Sequence, residues 1–170
     1  MRPGLTIMAE DFVARAVLKP KGNRYEDFAV GRRFAHHWGR TINSGDNSLF
    51  TTLTLHYNPL YTNLEYARAH GHPDVVVNPM LVFTTVFGLS VEDLSEGGGA
   101  FLGIEALTFH APVYPGDTLT ARSAVVDRRD SSGNKGMGVV TWHTEGFNQR
   151  GARVIDFKRT NLINKRSAGG

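Results

Sequence analysis

The run Asn78-Pro79-Met80-Leu81-Val82-Phe83-Thr84-Thr85-Val86-Phe87-Gly88-Leu89 decides how the rest of the chain is read. Asn78 is a favourable helix N-cap, because its side-chain oxygen can accept a hydrogen bond from a free N–H of the first turn. Pro79 suits the first helical position, where its missing N–H costs the helix no bond. The residues that follow are apolar or Thr, with no charge before Glu92. A helix apolar on all sides is predicted to be buried. Val82, Thr84, Thr85 and Val86 also permit a strand, but the length of the run and its Asn-Pro opening favour a helix. The N-terminus of such a helix carries free N–H groups and a partial positive charge, so its mouth can hold an anion or a polarised carbonyl.

Upstream, residues 32–42 alternate in part through Phe34, His36, Trp38, Arg40 and Ile42 and predict a first strand. On it, the adjacent His36 and His37 face opposite sides and cannot share a metal. Asn43-Ser44-Gly45-Asp46 predicts a turn and cap, followed by a helix over 46–55 with Leu49, Phe50, Leu53 and Thr54 turned inward. Pro59 is expected to break that helix. Residues 64–70 read as a second short helix with Tyr66 and Ala67 inside, and Phe12, Val13, Val17 and Leu18 suggest an amphipathic helix nearer the N-terminus. Downstream of the apolar run, 92–99 reads as a Gly-rich turn. Four strands are then predicted over 101–110, 118–129, 136–147 and 152–162. Pro112 and Pro115 confine 111–117 to a connection. One antiparallel sheet curled around one helix accounts for this order.

The 170 residues, with a formal charge of +3, fit one domain able to bury a core. The absence of Cys excludes disulfides, thiolate catalysis and Cys-ligated zinc. Basic residues are scattered apart from a few pairs, and no nucleic-acid motif accompanies them. No His-Glu-x-x-His, Gly-x-Ser-x-Gly, P-loop or dinucleotide motif is present, so no metal is expected, and His70, His72, His110 and His143 read as ordinary loop and strand residues. Residues 1–10 hold one Arg and no long apolar run, which predicts no signal peptide and a cytoplasmic protein that does not enter a membrane.

Several segments together resemble a known family: Tyr57-Asn58-Pro59-Leu60-Tyr61 through Ala67, Val77-Asn78-Pro79-Met80-Leu81, Phe101-Leu102-Gly103, and Phe109-His110-Ala111-Pro112-Val113-Tyr114-Pro115-Gly116-Asp117-Thr118-Leu119. They are similar to the MaoC-like dehydratases, the hotdog-fold family that includes the (R)-specific enoyl-CoA hydratases. Asp46-Asn47-Ser48-Leu49-Phe50-Thr51 with Pro59-Leu60 looks closer to the mesaconyl-CoA hydratase branch, which acts on branched dicarboxylic acyl-CoAs. The resemblance implies an α+β fold: a single hotdog domain over 25–163, its antiparallel sheet wrapped around a long central helix, with an extension at 1–24 and a tail at 164–170. It also implies a homodimer and a thioester substrate on coenzyme A or an acyl carrier protein, with no further cofactor.

The family's catalytic positions are occupied differently here. Its Asp corresponds to His56, its Asn to Asn58, its His to Tyr61, and its His-Gly at the helix start to Asn78-Pro79. Adding water to a conjugated thioester needs a base for water, an acid for the α-carbon and a polariser for the carbonyl. His56 can serve as base or acid, since a histidine's reference pKa lies near working pH; Tyr61 can donate a proton; Asn58 can orient a water or a neighbouring side chain. Pro79 has no N–H to give to an oxyanion. The N–H of Met80, the side chain of Asn78 or the helix dipole can replace it, and Asn78 can equally be only a cap. Asp46 is read as a capping carboxylate, with a role as substitute base or partner of His56 as the alternative. Tyr57, Phe83 and Phe87 can line an aromatic acyl pocket or belong to the core. The expected activity is a hydratase or dehydratase with a divergent His/Tyr site. The alternatives are other thioester chemistry on this fold, as in a thioesterase or a biosynthetic elimination or isomerisation, and a non-catalytic acyl-thioester-binding partner subunit.

Overall fold

The structure, a computed structural model, describes residues 22–166. β-Branched and aromatic residues concentrate in five segments, and each becomes a strand: β1 (Arg33–Thr41), β2 (Phe101–Phe109), β3 (Thr118–Asp130), β4 (Met137–Phe147) and β5 (Arg153–Asn164). They form one antiparallel sheet in the order β1-β3-β4-β5-β2. β1 and β2 are its two edges, so the sheet is open. β4 and β5 expose one face and bury the other: Ile155, Phe157, Arg159, Asn161 and Ile163 point inward, while Asp156, Lys158 and Thr160 lie on the outer face.

Five helices connect β1 to β2: α1 (Ser44–Leu53), α2 (Pro59–Thr62), α3 (Leu64–Ala69), α4 (Pro79–Leu89) and α5 (Val91–Leu94). The helix expected from the Asn-Pro opening is α4, capped by Asn78 with Pro79 in its first turn. It packs on β3, β1 and β4. Val82 and Val86 are buried against Ile42, Leu119, Ile155 and Phe157, a contribution of about 1.5–3 kcal/mol for each fully buried aliphatic side chain. Gly146 makes the approach possible, since a Cβ there would stand 2.6 Å from Val86 and 2.7 Å from Ile155. A second cluster (Phe28, Phe34, Val125, Trp142) fills the other end of the sheet.

Two expectations about α4 are corrected. It is not a long helix: it has 11 residues and ends where Ser90 turns its hydroxyl back to donate to the carbonyl of Phe87. Nor is it buried on all sides. Only one layer of sheet is present to cover it, so Met80, Thr84 and Gly88 on the far side stay exposed. Thr84 tolerates this by donating its hydroxyl to the carbonyl of Met80 at 2.9 Å.

The inward face of α1 is also corrected. Leu49 and Leu53 are 62% and 73% exposed, and Thr54 is exposed, whereas Asn47 and Thr51 are buried. The reason is what α1 covers. It lies over the polar start of α4 and the backbone before it, which demand hydrogen-bonding partners. Tyr66, expected inside, is 40% exposed, while Ala67 is buried. Pro59 does not end α1. It opens α2, with Asn58 as N-cap. As expected, His36 is buried and His37 exposed. The Phe12–Val13–Val17–Leu18 helix, and most of the expected 1–24 extension and 164–170 tail, lie outside the described residues.

Candidate active site

His56 is placed by the way α1 stops. Leu55 adopts the left-handed conformation (φ 56°). The N–H of Leu55 then donates to the carbonyl of Thr52 at 3.3 Å, and that of His56 to Thr51 at 3.0 Å. This pair of reversed bonds is the Schellman closure, normally built on Gly. Here Leu supplies it, a residue 71% exposed, in a conformation that is strained for any residue with a Cβ.

The turned-back chain brings His56 to Asn78. Oδ1 of Asn78 accepts the N–H of Met80 at 3.0 Å, so its amide orientation is fixed. Its Nδ2 then donates to Thr51 Oγ1 at 3.3 Å and to Nδ1 of His56 at 3.1 Å. Nδ1 of His56 is therefore an acceptor, and the proton of the neutral ring resides on Nε2. Asn47 ties the same elements together from below. Its Nδ2 donates to the carbonyls of Tyr61 (3.0 Å) and Val76 (3.1 Å), and its Oδ1 accepts the N–H of Asn78 (2.8 Å). Asn47, Thr51 and Asn78 are all essentially inaccessible to solvent.

Tyr61 stands edge-on to His56, with ring centroids 5.5 Å apart. It lines a cleft of about 320 Å³ at the start of α4, together with Leu60, His72, Pro79, His110 and Val113. Burial raises the Tyr61 phenol above its ordinary 10.0. No hydrogen bond among the described residues engages its hydroxyl. The first turn of α4 is satisfied internally. Pro79 has no N–H, the N–H of Met80 goes to Asn78 Oδ1, and those of Leu81 and Val82 go to the Asn78 carbonyl.

The remaining residues singled out from sequence scatter around this cluster. Asp46 accepts the N–H of Asn43 and pairs with Arg40 at 2.9 Å, completing a capping box rather than reaching His56. Asn58 accepts the N–H of Leu60 at 3.0 Å as the cap of α2. Tyr57 is 70% exposed and Met80 38%. Phe83 and Phe87 pack on Phe157 at 5.1 and 6.4 Å between centroids, away from the cleft.

Sequence reasoning passed over His72 and His110, which line the cleft. Nδ1 of His72 contacts the Tyr114 hydroxyl at 3.0 Å. His110 pairs through Nε2 with Oδ1 of Asp156, whose Oδ2 accepts from Nε2 of His143 at 2.6 Å. Burial alone would raise the Asp156 carboxyl, but hydrogen bonds from His143 and His110 outweigh it and hold it below the usual carboxylate range. No local pattern signals this trio, since it depends on the register of β2 and β4 on β5. Asn47 was likewise missed as a positioning residue, because a polar residue on a short helix reads as solvent-facing. Among the described residues, no group of three or more His, Asp or Glu is arranged to hold a metal ion, and no helix is long and apolar enough to cross a membrane.

Comparison with known proteins agrees with this architecture. Residues 7–169 match the family described as mesaconyl-CoA hydratase. The mesaconyl-CoA hydratase of Haloarcula marismortui is 37% identical over 158 residues, covering 92% of this chain and 44% of that protein. The β-methylmalyl-CoA dehydratase of Chloroflexus aurantiacus is 37% identical over 145 residues, covering 85% of this chain and 41% of its own. A crystal structure from the same organism, described as a MaoC domain protein dehydratase, superposes with a TM-score of 0.84 at 34% identity, over 91% of this chain and 44% of that one. The chain thus spans less than half the length of these two curated relatives. An antiparallel hotdog-like sheet carrying a short Asn-Pro helix, matched over nearly the whole chain, places this protein in the mesaconyl-CoA hydratase family of MaoC-like dehydratases.

Proposed function

We propose that the protein is a hydratase or dehydratase that adds water to, or removes it from, an acyl thioester carried on coenzyme A or an acyl carrier protein. The observation that carries this reading is the cleft at the start of α4, with the unbonded Tyr61 hydroxyl on its wall and the Asn78–His56 pair behind it. Its volume of about 320 Å³ is at the small end of ligand sites. Tyr61 is protonated at rest and acts as the donor, by a hydrogen bond to the thioester oxygen and then by proton transfer to the α-carbon. This role matters because the first turn of α4 has no N–H to spare. His56, protonated at Nε2, supports Tyr61 as a second donor. Asn78, saturated and buried, acts through His56 and not on substrate; Asp46 and Asn58 hold the frame.

The names of the relatives make mesaconyl-CoA the first substrate to try. The experiment follows the absorbance of the conjugated thioester with crotonyl-, mesaconyl- and longer enoyl-CoAs. Wild type is expected to remove the enoyl band of at least one of them, and Tyr61→Phe to slow it by about 10²-fold. A folded wild type that binds acyl-CoA and leaves every band unchanged overturns the hydratase reading. Release of free thiol instead identifies a thioesterase.

The same reading takes a second hotdog chain as partner, in a homodimer or beside a homologue that keeps the usual Asp and His, and the open edges of the sheet support it. The edge strand β2 presents Phe101 and Leu102, each 53% exposed, and Phe101 sits 5.6 Å from Phe87 of α4. Pairing through β2 would extend the sheet across both protomers and enclose α4 more fully, the wrapped arrangement expected from the sequence. Light scattering on the purified chain, alone and with such a homologue, tests this. The 25–163 domain boundaries and a cytoplasmic location belong to the same reading.

A further inference from the structure

His110 closes β2, its N–H donating to the carbonyl of Val154 at 2.9 Å. That bond fixes the backbone beside β5, and the side chain meets Asp156, two residues along β5 from Val154. The Asp156 carboxylate is only 18% exposed and is gripped from both sides, by His110 on one oxygen and His143 on the other. A carboxylate can only accept, so both imidazoles donate from Nε2. In the neutral ring Nδ1 of His110 is then left with a lone pair, and no hydrogen bond among the described residues engages it. His110 lines the same cleft as Tyr61. A carboxylate behind an imidazole, holding its tautomer and leaving the far nitrogen bare, is the arrangement of a general base.

We infer that His110 is the general base of the cleft, with Asp156 and His143 as the residues that position it. The inference rests on the thioester hydratase reading and supplies the base that His56, with Nδ1 already bonded to Asn78, leaves unfilled. In hydration, water gives a proton to Nδ1 of His110 as its oxygen bonds to the β-carbon. The C=C electron pair moves into the thioester as an enolate, which takes a proton at the α-carbon from the Tyr61 hydroxyl. The proton on His110 returns through solvent to the tyrosinate, so one water is consumed and both side chains are restored. Dehydration runs the same steps backwards. Other titratable groups face this cluster. His72, bonded to the Tyr114 hydroxyl, shares the cleft. On the outer sheet face stand Lys158, in register with His143 and Glu105, and Glu145, paired with Arg153 at 3.0 Å.

The test is kinetics of the full chain on whichever enoyl-CoA the wild type hydrates, as a function of pH, beside thermal melts of each variant. His110→Gln is expected to lower kcat by about 10²-fold or more. Asp156→Asn is expected to lower kcat and to move the acid limb of the kcat/KM profile to lower pH, because the carboxylate no longer stabilises the charged imidazolium. His143→Gln should lower kcat more weakly, through looser positioning of the Asp156 carboxylate. A purely structural clamp would lower the melting temperature and leave the limb in place. His110→Gln with wild-type kcat, or an unmoved limb in Asp156→Asn, overturns the inference and leaves the hydratase reading standing. A wild type with no turnover on any enoyl-CoA overturns that reading and this inference with it.

Discussion

Nδ2 of Asn78 donates to Nδ1 of His56 at 3.1 Å while Oδ1 of the same amide caps α4 through Met80. One side chain thus both starts the helix and sets the tautomer of the neighbouring imidazole. Asp at this position retains the capping oxygen but replaces the donor by an acceptor. Asn78→Asp should therefore keep the helix and force a proton onto Nδ1 of His56, visible in 15N imidazole spectra, whereas Asn78→Ala should cost about 1 kcal/mol for the lost cap. An Asn78→Asp protein whose His56 signals match wild type would show that the amide does not govern the ring.

Leu55 carries the left-handed turn that delivers His56. A non-Gly residue there costs about 1–2 kcal/mol, offset in a Gly variant by the greater freedom Gly has when unfolded. Leu55→Gly is expected to raise stability by up to about 1 kcal/mol in urea melts. A loss of stability would mean that the exposed leucine side chain is covered in the assembled protein.

Asp117, 5% exposed, accepts the N–H of Tyr114 at 3.0 Å, Gln149 Nε2 at 2.7 Å and Arg150 at 3.1 Å. Burial alone would raise its carboxyl, but these three donors hold it below its ordinary 3.8. A depressed carboxyl stabilises the fold fully above the unfolded value, and the contribution is lost as pH falls through the folded one. Asp117→Asn should cost about 1–3 kcal/mol at pH 7. The gap to wild type should shrink below about pH 4, which urea titrations at several pH values would read.

Arg159 is completely buried, and no carboxylate among the described residues pairs with it. It donates to Asn161 Oδ1 (3.0 Å), Ser90 Oγ (2.9 Å) and Ser95 Oγ (2.5 Å), and its guanidinium lies 4.2 Å from the Phe87 ring centroid. Burial pulls it down to about 10. Arg159→Ala should destabilise by about 3 kcal/mol or more through the cavity and the abandoned acceptors. Arg159→Met keeps much of the volume and removes the desolvated charge, so it should cost less. Equal losses in the two variants would assign the effect to the hydrogen bonds to the α4–α5 junction.

The strands were legible because alternation and turn residues are local signals: β3, β4 and β5 lie within two residues of their expected limits at each end. The Asn-Pro start of α4 was legible for the same reason. The inward face of α1 was not. Leu49, Phe50 and Leu53 look like a core stripe, and only the polar backbone beneath α1 explains why Asn47 and Thr51 take that place. Of the residues singled out for chemistry, His56, Tyr61 and Asn78 come together, and Asp46, Tyr57, Phe83 and Phe87 do not.

By itself, then, the sequence determined the order of strands and helices, the cap at Asn78, the missing N–H at Pro79 and the family to which the segments belong. Each of these depends on residues adjacent in the chain, where propensity, capping and proline chemistry act. Only the tertiary structure decided that Asn78 reaches His56 across 22 positions, that one layer of sheet leaves the Met80, Thr84 and Gly88 side of α4 uncovered, and that Asp156 clamps His110 and His143 from 46 and 13 residues away. Those relationships follow from strand register and from the reversal at Leu55, and neither has a signature in local composition, because contact between distant residues is set by how the elements pack.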